Sequence, residues 1–184
     1  MRKWFSLSAI GHDRAGIVAD LAEFIYGADC NLEDSSMSRL GSEFAVLLLL
    51  SSTVPDADQH LASAAKKLEW EKRLTVFVRP LEGEPMRGKP YGVDTYEVQA
   101  SGLDKAGIVA RVARVLADNG ASITHMSSEL LRAVQSGTPV YRMSIEVDVP
   151  NQVGENELRS QLDEVASSLH IEVHLKRHPG SARR

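Results

Sequence analysis

Residues 4–10 alternate, with Phe5, Leu7 and Ala9 on one face and Trp4, Ser6 and Ser8 on the other, which predicts a half-buried strand. Residues 95–100 repeat the pattern with Tyr96, Val98 and Ala100 against Thr95, Glu97 and Gln99. The period then lengthens: Ile17, Val18, Leu21, Phe24 and Ile25 recur at helical spacing, as do Ile108, Val109, Val112, Val115 and Leu116. Asp13 and Asp104 stand where an N-cap is expected, and Gly27 and Gly120 where the helices should end. Asp34–Leu40 and Glu43–Ser51 read as a hairpin about Gly41-Ser42, a pair suited to a two-residue turn with positive φ at its first central position. The matching strands of the other half, 124–132 and 140–149, are separated by a longer loop around Gln135–Thr138. Ala57, Leu61, Ala64, Ala65 and Leu68 outline a second helix, as do Leu158, Leu162, Val165, Ala166 and Leu169, and alternating strands follow at 74–79 and 171–176. Each half therefore reads βαββαβ, an α+β, ferredoxin-like order with an antiparallel sheet and both helices on one face.

The two halves are copies. Residues 11–22 and 102–113 share eight of twelve positions, Gly11, Asp13, Ala15, Gly16, Ile17, Val18, Ala19 and Ala22 with their counterparts, where ordinary composition would give about one. A period of that length suits two small domains rather than a solenoid. The expected division is a first domain over 1–80, a linker over 81–91, a second domain over 92–178 and a tail over 179–184. Three prolines and two glycines between Pro80 and Pro90 break both periodicities and mark the linker.

One strand breaks the symmetry. Tyr141, Met143, Ile145 and Val147 alternate with Arg142, Ser144, Glu146 and Asp148, as expected when one face meets water. Phe44 to Leu50 is apolar on both faces, and Trp4 and Phe77 extend the side away from the helices. Either linker or tail shields that face, or a second sheet packs on it; the second reading predicts a homodimer through the first-domain sheet.

Charge and rare residues narrow the function. A net charge of −4 and a pI near 5.9 oppose a surface built to neutralise phosphates, so direct nucleic-acid binding is not expected. The lone Cys30 excludes an intrachain disulfide and a thiolate zinc cage, and suits a small buried residue in a reducing compartment. The N-terminus does not read as a signal peptide, and the Phe44–Leu50 run is too short to span a bilayer, so a cytoplasmic protein without membrane contact is expected. His170, His174 and His178 have helical spacing but fall across an alternating strand, which favours a polar edge over a metal site. G-x-x-x-x-G without a following Lys-Ser/Thr is no phosphate loop. No nucleophilic or paired-carboxylate set emerges, so no cofactor, no metal and no catalytic activity are expected.

The turn from Gly11 to Gly16 joins a strand to a helix start, where free N–H groups and the positive helix end could seat a carboxylate. From the residues alone it reads first as capping aspartates, Asp13 and Asp104, with glycines that permit tight packing.

Gly11-x-Asp13-Arg14-x-Gly16-Ile17-Val18, Cys30-Asn31-Leu32-Glu33-Asp34-Ser35-Ser36-Met37 and Leu40-Gly41-x-Glu43-Phe44 together resemble the ACT domain family, in a tandem arrangement. The resemblance implies a regulatory module that binds a small ligand, commonly an amino acid such as glycine or serine, between two paired domains. One domain would supply its β1–α1 turn and the other its α1–β2 loop. Carried over by motif, Gly11, Asp13, Arg14, Gly16 and Ile17 form the first turn, and Asn31 with Leu32 the first loop. Gly102, Asp104, Gly107 and Ile108 match the second turn, and Ser122 with Ile123 the second loop. Two departures stand out: Ala15 and Ala106 replace the family's usual proline, and Ser122 replaces its asparagine. The sites should therefore be unequal, the better one combining Asp104 and Gly107 with Asn31. The family also implies action on a protein partner, a transcription activator or an enzyme, so any effect on transcription would be indirect. Alternatives are a regulatory subunit of a separate enzyme and a dimerisation scaffold without ligand.

Overall fold

Alternation at the start of each repeat does what the pattern requires: in β1 (Lys3–His12), Phe5, Leu7 and Ala9 are buried beneath the helices. The computed structural model describes residues 2–85, 88, 90–103, 106–132 and 139–178. The first unit continues with α1 (Ile17–Gly27), β2 (Asn31–Leu40), β3 (Glu43–Ser52), α2 (Ala57–Lys72) and β4 (Thr75–Leu81). The second repeats the order as β5 (Val93–Leu103), α3 (Ile108–Asp118), β6 (Ser122–Arg132), β7 (Pro139–Pro150), α4 (Glu155–Leu169) and β8 (Glu172–Arg177). The sheets have strand orders β2-β3-β1-β4 and β6-β7-β5-β8, antiparallel throughout. This is the ferredoxin-like βαββαβ fold, twice. The chain divides into compact units Met1–Arg87 and Gly88–Arg184.

Each core lies between one sheet face and its two helices. Ile17, Leu21 and Ile25 of α1 and Leu61 and Leu68 of α2 close over Leu7 and Leu50. Ile108, Val112 and Leu116 with Leu158 and Leu162 close over Val98 and Ile145. Cys30 is buried in the first core, where its Sγ donates to the Ala28 carbonyl at 3.4 Å and burial pushes its thiol pKa up.

Four local expectations are corrected. The N-caps are Gly16 and Gly107, both left-handed and neither making a side-chain cap bond, so Asp13 is not the capping residue. Asp104 lies outside the described residues. The helix ends correspond differently as well: Asp29 (φ 54°), not Gly27, holds the left-handed position that Gly120 (φ 65°) holds in the second unit. In both copies the next amide closes the helix, Cys30 N–H to the Ile25 carbonyl at 3.1 Å and Ala121 N–H to the Leu116 carbonyl at 3.0 Å. Asn31-Leu32 and Ser122-Ile123 open their edge strands rather than sitting in loops; the pattern hid this because an edge strand exposed on both faces shows no alternation. Trp4, expected to enlarge the open apolar face, is buried at its rim with the Arg2 guanidinium 5.0 Å from the ring centre. The hairpin turn is as read, with Gly41 at φ 62°. The loop around Gln135–Thr138 falls outside the described residues.

Candidate functional site

The glycines of the β1–α1 turn serve two physical purposes. A Cβ on Gly11 would stand 2.6 Å from Leu74 Cδ2 and 3.2 Å from the Arg73 carbonyl oxygen; one on Gly102 would stand 2.6 Å from Ile171 Cγ2. These two let the strand end press against the junction between the second helix and the last strand. Gly16 and Gly107 do the opposite: their φ values are 85° and 96°, and an added Cβ would have no heavy atom within 4 Å. They bend the chain into the helix and leave the space before it open. The first-turn amides there have no carbonyl partner within the helix.

The polar side chains of the turn are tied down. Asp13 accepts from Arg39 Nη1 at 3.3 Å, and its backbone N–H donates to the Ser42 carbonyl at 2.8 Å, fixing the turn to the β2–β3 hairpin. Arg14 pairs with Asp20, which also accepts from Lys72 Nζ at 2.8 Å. Asp20 and Lys72 were not among the residues singled out by sequence; an acid in the first turn of α1 beside Arg14 is the signal that could have found them. A cleft of about 520 Å³ beside the turn is lined by His12, Arg14, Glu71, Lys72 and Arg73, a net positive rim. Ile17 and Ile108 point into their cores, so only their backbone can face a ligand.

Lys72 first, and then Arg14, hold the Asp20 carboxyl below its ordinary value of 3.8. A carboxyl with a depressed folded pKa adds stability above its unfolded pKa and loses it as pH falls through the folded one, so this contribution is complete at neutral pH and fades below about pH 4. Asp20→Asn is expected to flatten the acid limb of first-unit stability in that window, measured by urea denaturation from neutral pH to pH 3. An unchanged acid limb would mean that the pairs contribute nothing there.

The register decides which candidate residues can meet. Asn31 pairs with Ser51, which pairs with Trp4, whereas Gly11 pairs with Phe44 at the other end of β1. Seven residues of strand, roughly 23 Å, separate the two rows. Within one unit the turn and Asn31 are thus at opposite ends of the sheet, and the same holds for Gly102, paired with Tyr141, and Ser122, paired with Asp148. Asn31 and Leu32 are exposed on β2, with a bulge between Leu32 and Asp34; Ser122 and Ile123 are exposed on β6, with a bulge between Ile123 and His125. Among the described residues no group of His, Cys, Asp and Glu could hold a metal ion, and no helix is long and apolar enough to cross a membrane.

Comparison with known proteins agrees with this architecture. Residues 5–79 match the family model described as ACT domain. The glycine cleavage system transcriptional repressors of Escherichia coli (strain K12) and Shigella flexneri are each 40% identical over 47 residues, a match spanning 26% of this chain and only 25% of each relative. The crystal structure of an unknown protein from Galdieria sulphuraria superposes with a TM-score of 0.81 at 28% identity, covering 97% of this chain and 100% of that one. A crystal structure described as a candidate glycine cleavage system transcriptional repressor has the same fold, with a TM-score of 0.72 at 19% identity over 98% of this chain and 99% of that one. Residues 5–79 are therefore similar to the ACT domain in sequence, and the second unit repeats the fold of the first.

Proposed function

We propose that this chain is a non-catalytic regulator that binds a small amino acid, of the glycine or serine class, at ACT–ACT interfaces and passes its occupancy to a protein partner. The observation that carries the reading is the register: an open, amide-bearing turn and an exposed Asn31 sit at opposite ends of one sheet. Two such sheets joined antiparallel through their free edges would set the turn of one beside the Asn31 end of the other. The ligand carboxylate would lie against the N–H groups after Gly16 or Gly107, and the asparagine would supply a donor and an acceptor to the ligand's polar atoms. With Ser122 in the equivalent place, the site completed by Asn31 is the stronger.

The partner class follows from charge and kinship. A chain with net charge −4 does not suit a phosphate backbone. The matched relatives are transcriptional repressors by name, so the output we propose is contact with an activator or enzyme rather than with DNA. Ligand changes that contact only if it binds the two states with different affinity. We also assign self-association to the open face of the first sheet.

A thermal-shift panel of the twenty amino acids tests the ligand. Glycine or serine at about a hundred times its dissociation constant should stabilise the protein by about 2.7 kcal/mol, and Asn31→Ala should abolish most of that shift while leaving the unliganded midpoint near wild type. No shift with any amino acid, or identical shifts in Asn31→Ala, would refute the site.

A further inference from the structure

The face of the first sheet turned away from α1 and α2 carries a regular size pattern. Across the central strands three successive open-face pairs set a large apolar side chain beside a small one: Ser6 beside Leu49, Ser8 beside Leu47, and Ile10 beside Ala45. Leu47, Ile10 and the neighbouring Phe77 of β4 are 55%, 52% and 64% exposed. The row through Ser6 and Leu49 ends in Arg79 on β4 and Asp34 on β2, at opposite edges. Neither forms an ion pair among the described residues; Asp34 accepts only the N–H of Ser35. Among its described residues the second unit has nothing comparable. Its corresponding pairs are Glu97 with Glu146, Gln99 with Ser144 and Ser101 with Arg142, and Glu97 is already satisfied by Gln99 and Ser144.

Resting on the self-association reading above, we propose that this face binds the same face of a second copy about a two-fold axis parallel to the strands. Such a rotation preserves position along the strands while exchanging β1 with β3 and β4 with β2. Leu49 and Leu47 then settle over the partner's Ser6 and Ser8, Ile10 over the partner's Ala45, and Phe77 over the partner's Ser36. Large side chains meet small ones throughout, the interdigitation that lets two sheets pack about 10 Å apart. Arg79 meets the partner's Asp34, and the symmetry repeats the pair. An axis across the strands would instead stack Leu47 on Leu49 and serine on serine, and would leave both charges without an opposite partner. Three strands of ten residues and one of seven present a face on the order of 600 Å², close to the ~800 Å² that each side of a standard stable interface buries. The isologous contact closes at two copies.

Sedimentation equilibrium on the full chain at micromolar concentration tests the proposal, with four variants at exposed positions. Leu47→Glu should weaken the dimer at least about tenfold by placing two charges in the centre of the contact. Arg79→Asp and Asp34→Arg should each weaken it, and the double reversal should restore wild-type association. A wild-type monomer would overturn both this geometry and the self-association reading. A dimer indifferent to Leu47→Glu would place the contact elsewhere. A dimer lost in Leu47→Glu but not restored by the double reversal would overturn the axis alone. Amino-acid binding is judged separately by the thermal-shift panel.

Discussion

Leu50→Ala is expected to lower the stability of the first unit by about 3 kcal/mol, within the usual range for truncating a fully buried leucine. Leu50 has no solvent exposure, pairs with Phe5 on β1, and sits in the middle of the core closed by α1 and α2. Its neighbours are a sheet and two helices that cannot collapse independently, so the cavity stays open. For a unit the size of Met1–Arg87, each kcal/mol is worth roughly 4–8 °C. Differential scanning calorimetry should show the first-unit transition falling by more than about 10 °C while the second stays in place. A shift of both by the same amount would show that the two units unfold as one.

Gly102→Ala should cost the second unit about 2–3 kcal/mol, and the matching Gly11→Ala less than about 1 kcal/mol. The sequence repeats these glycines as identical partners, but their surroundings differ. On Gly102 the new Cβ meets Ile171, with Cγ2 at 2.6 Å, Cβ at 3.0 Å and Cα at 3.2 Å, a β-branched residue whose bulk is fixed close to the backbone. On Gly11 the nearest atom is the far end of Leu74, Cδ2 at 2.6 Å, which can rotate away, and the nearest backbone atom, the Arg73 carbonyl oxygen at 3.2 Å, has to give by only a few tenths of an ångström. Urea denaturation of both variants decides the comparison; equal costs would mean that the end of the strand moves in both units.

Periodicity made most of the described elements legible because they bury one face, and burial of one face is what a period of two or 3.6 encodes. The β1–α1 turn was legible as a repeat but not in its working parts. Asp13 looked like a cap from its position alone, yet Gly16 takes that place and Asp13 instead meets Arg39, twenty-six residues away, a contact only the hairpin geometry creates. Lys72 likewise reaches Asp20 from the far end of α2. The starts of β2 and β6 were missed because strands exposed on both faces carry no alternation. The separation of Asn31 from the turn could be read only from the pairing register. Phe44–Leu50 was legible as a strand apolar on both faces, and its outward Leu47 is exposed beside the mostly polar β2.

The two edges of each sheet are not equivalent. β4 has seven residues and carries Pro80, which cannot donate to a neighbouring strand, and β8 has only six residues and ends in Lys176 and Arg177. β2 and β6 are longer, contain no proline, and are each paired on one side only. Each sheet therefore offers one edge on which another strand can grow and one on which growth stops. Two such sheets joined through their open edges, as proposed above, would consume both edges at once and end at eight strands instead of propagating as a fibre.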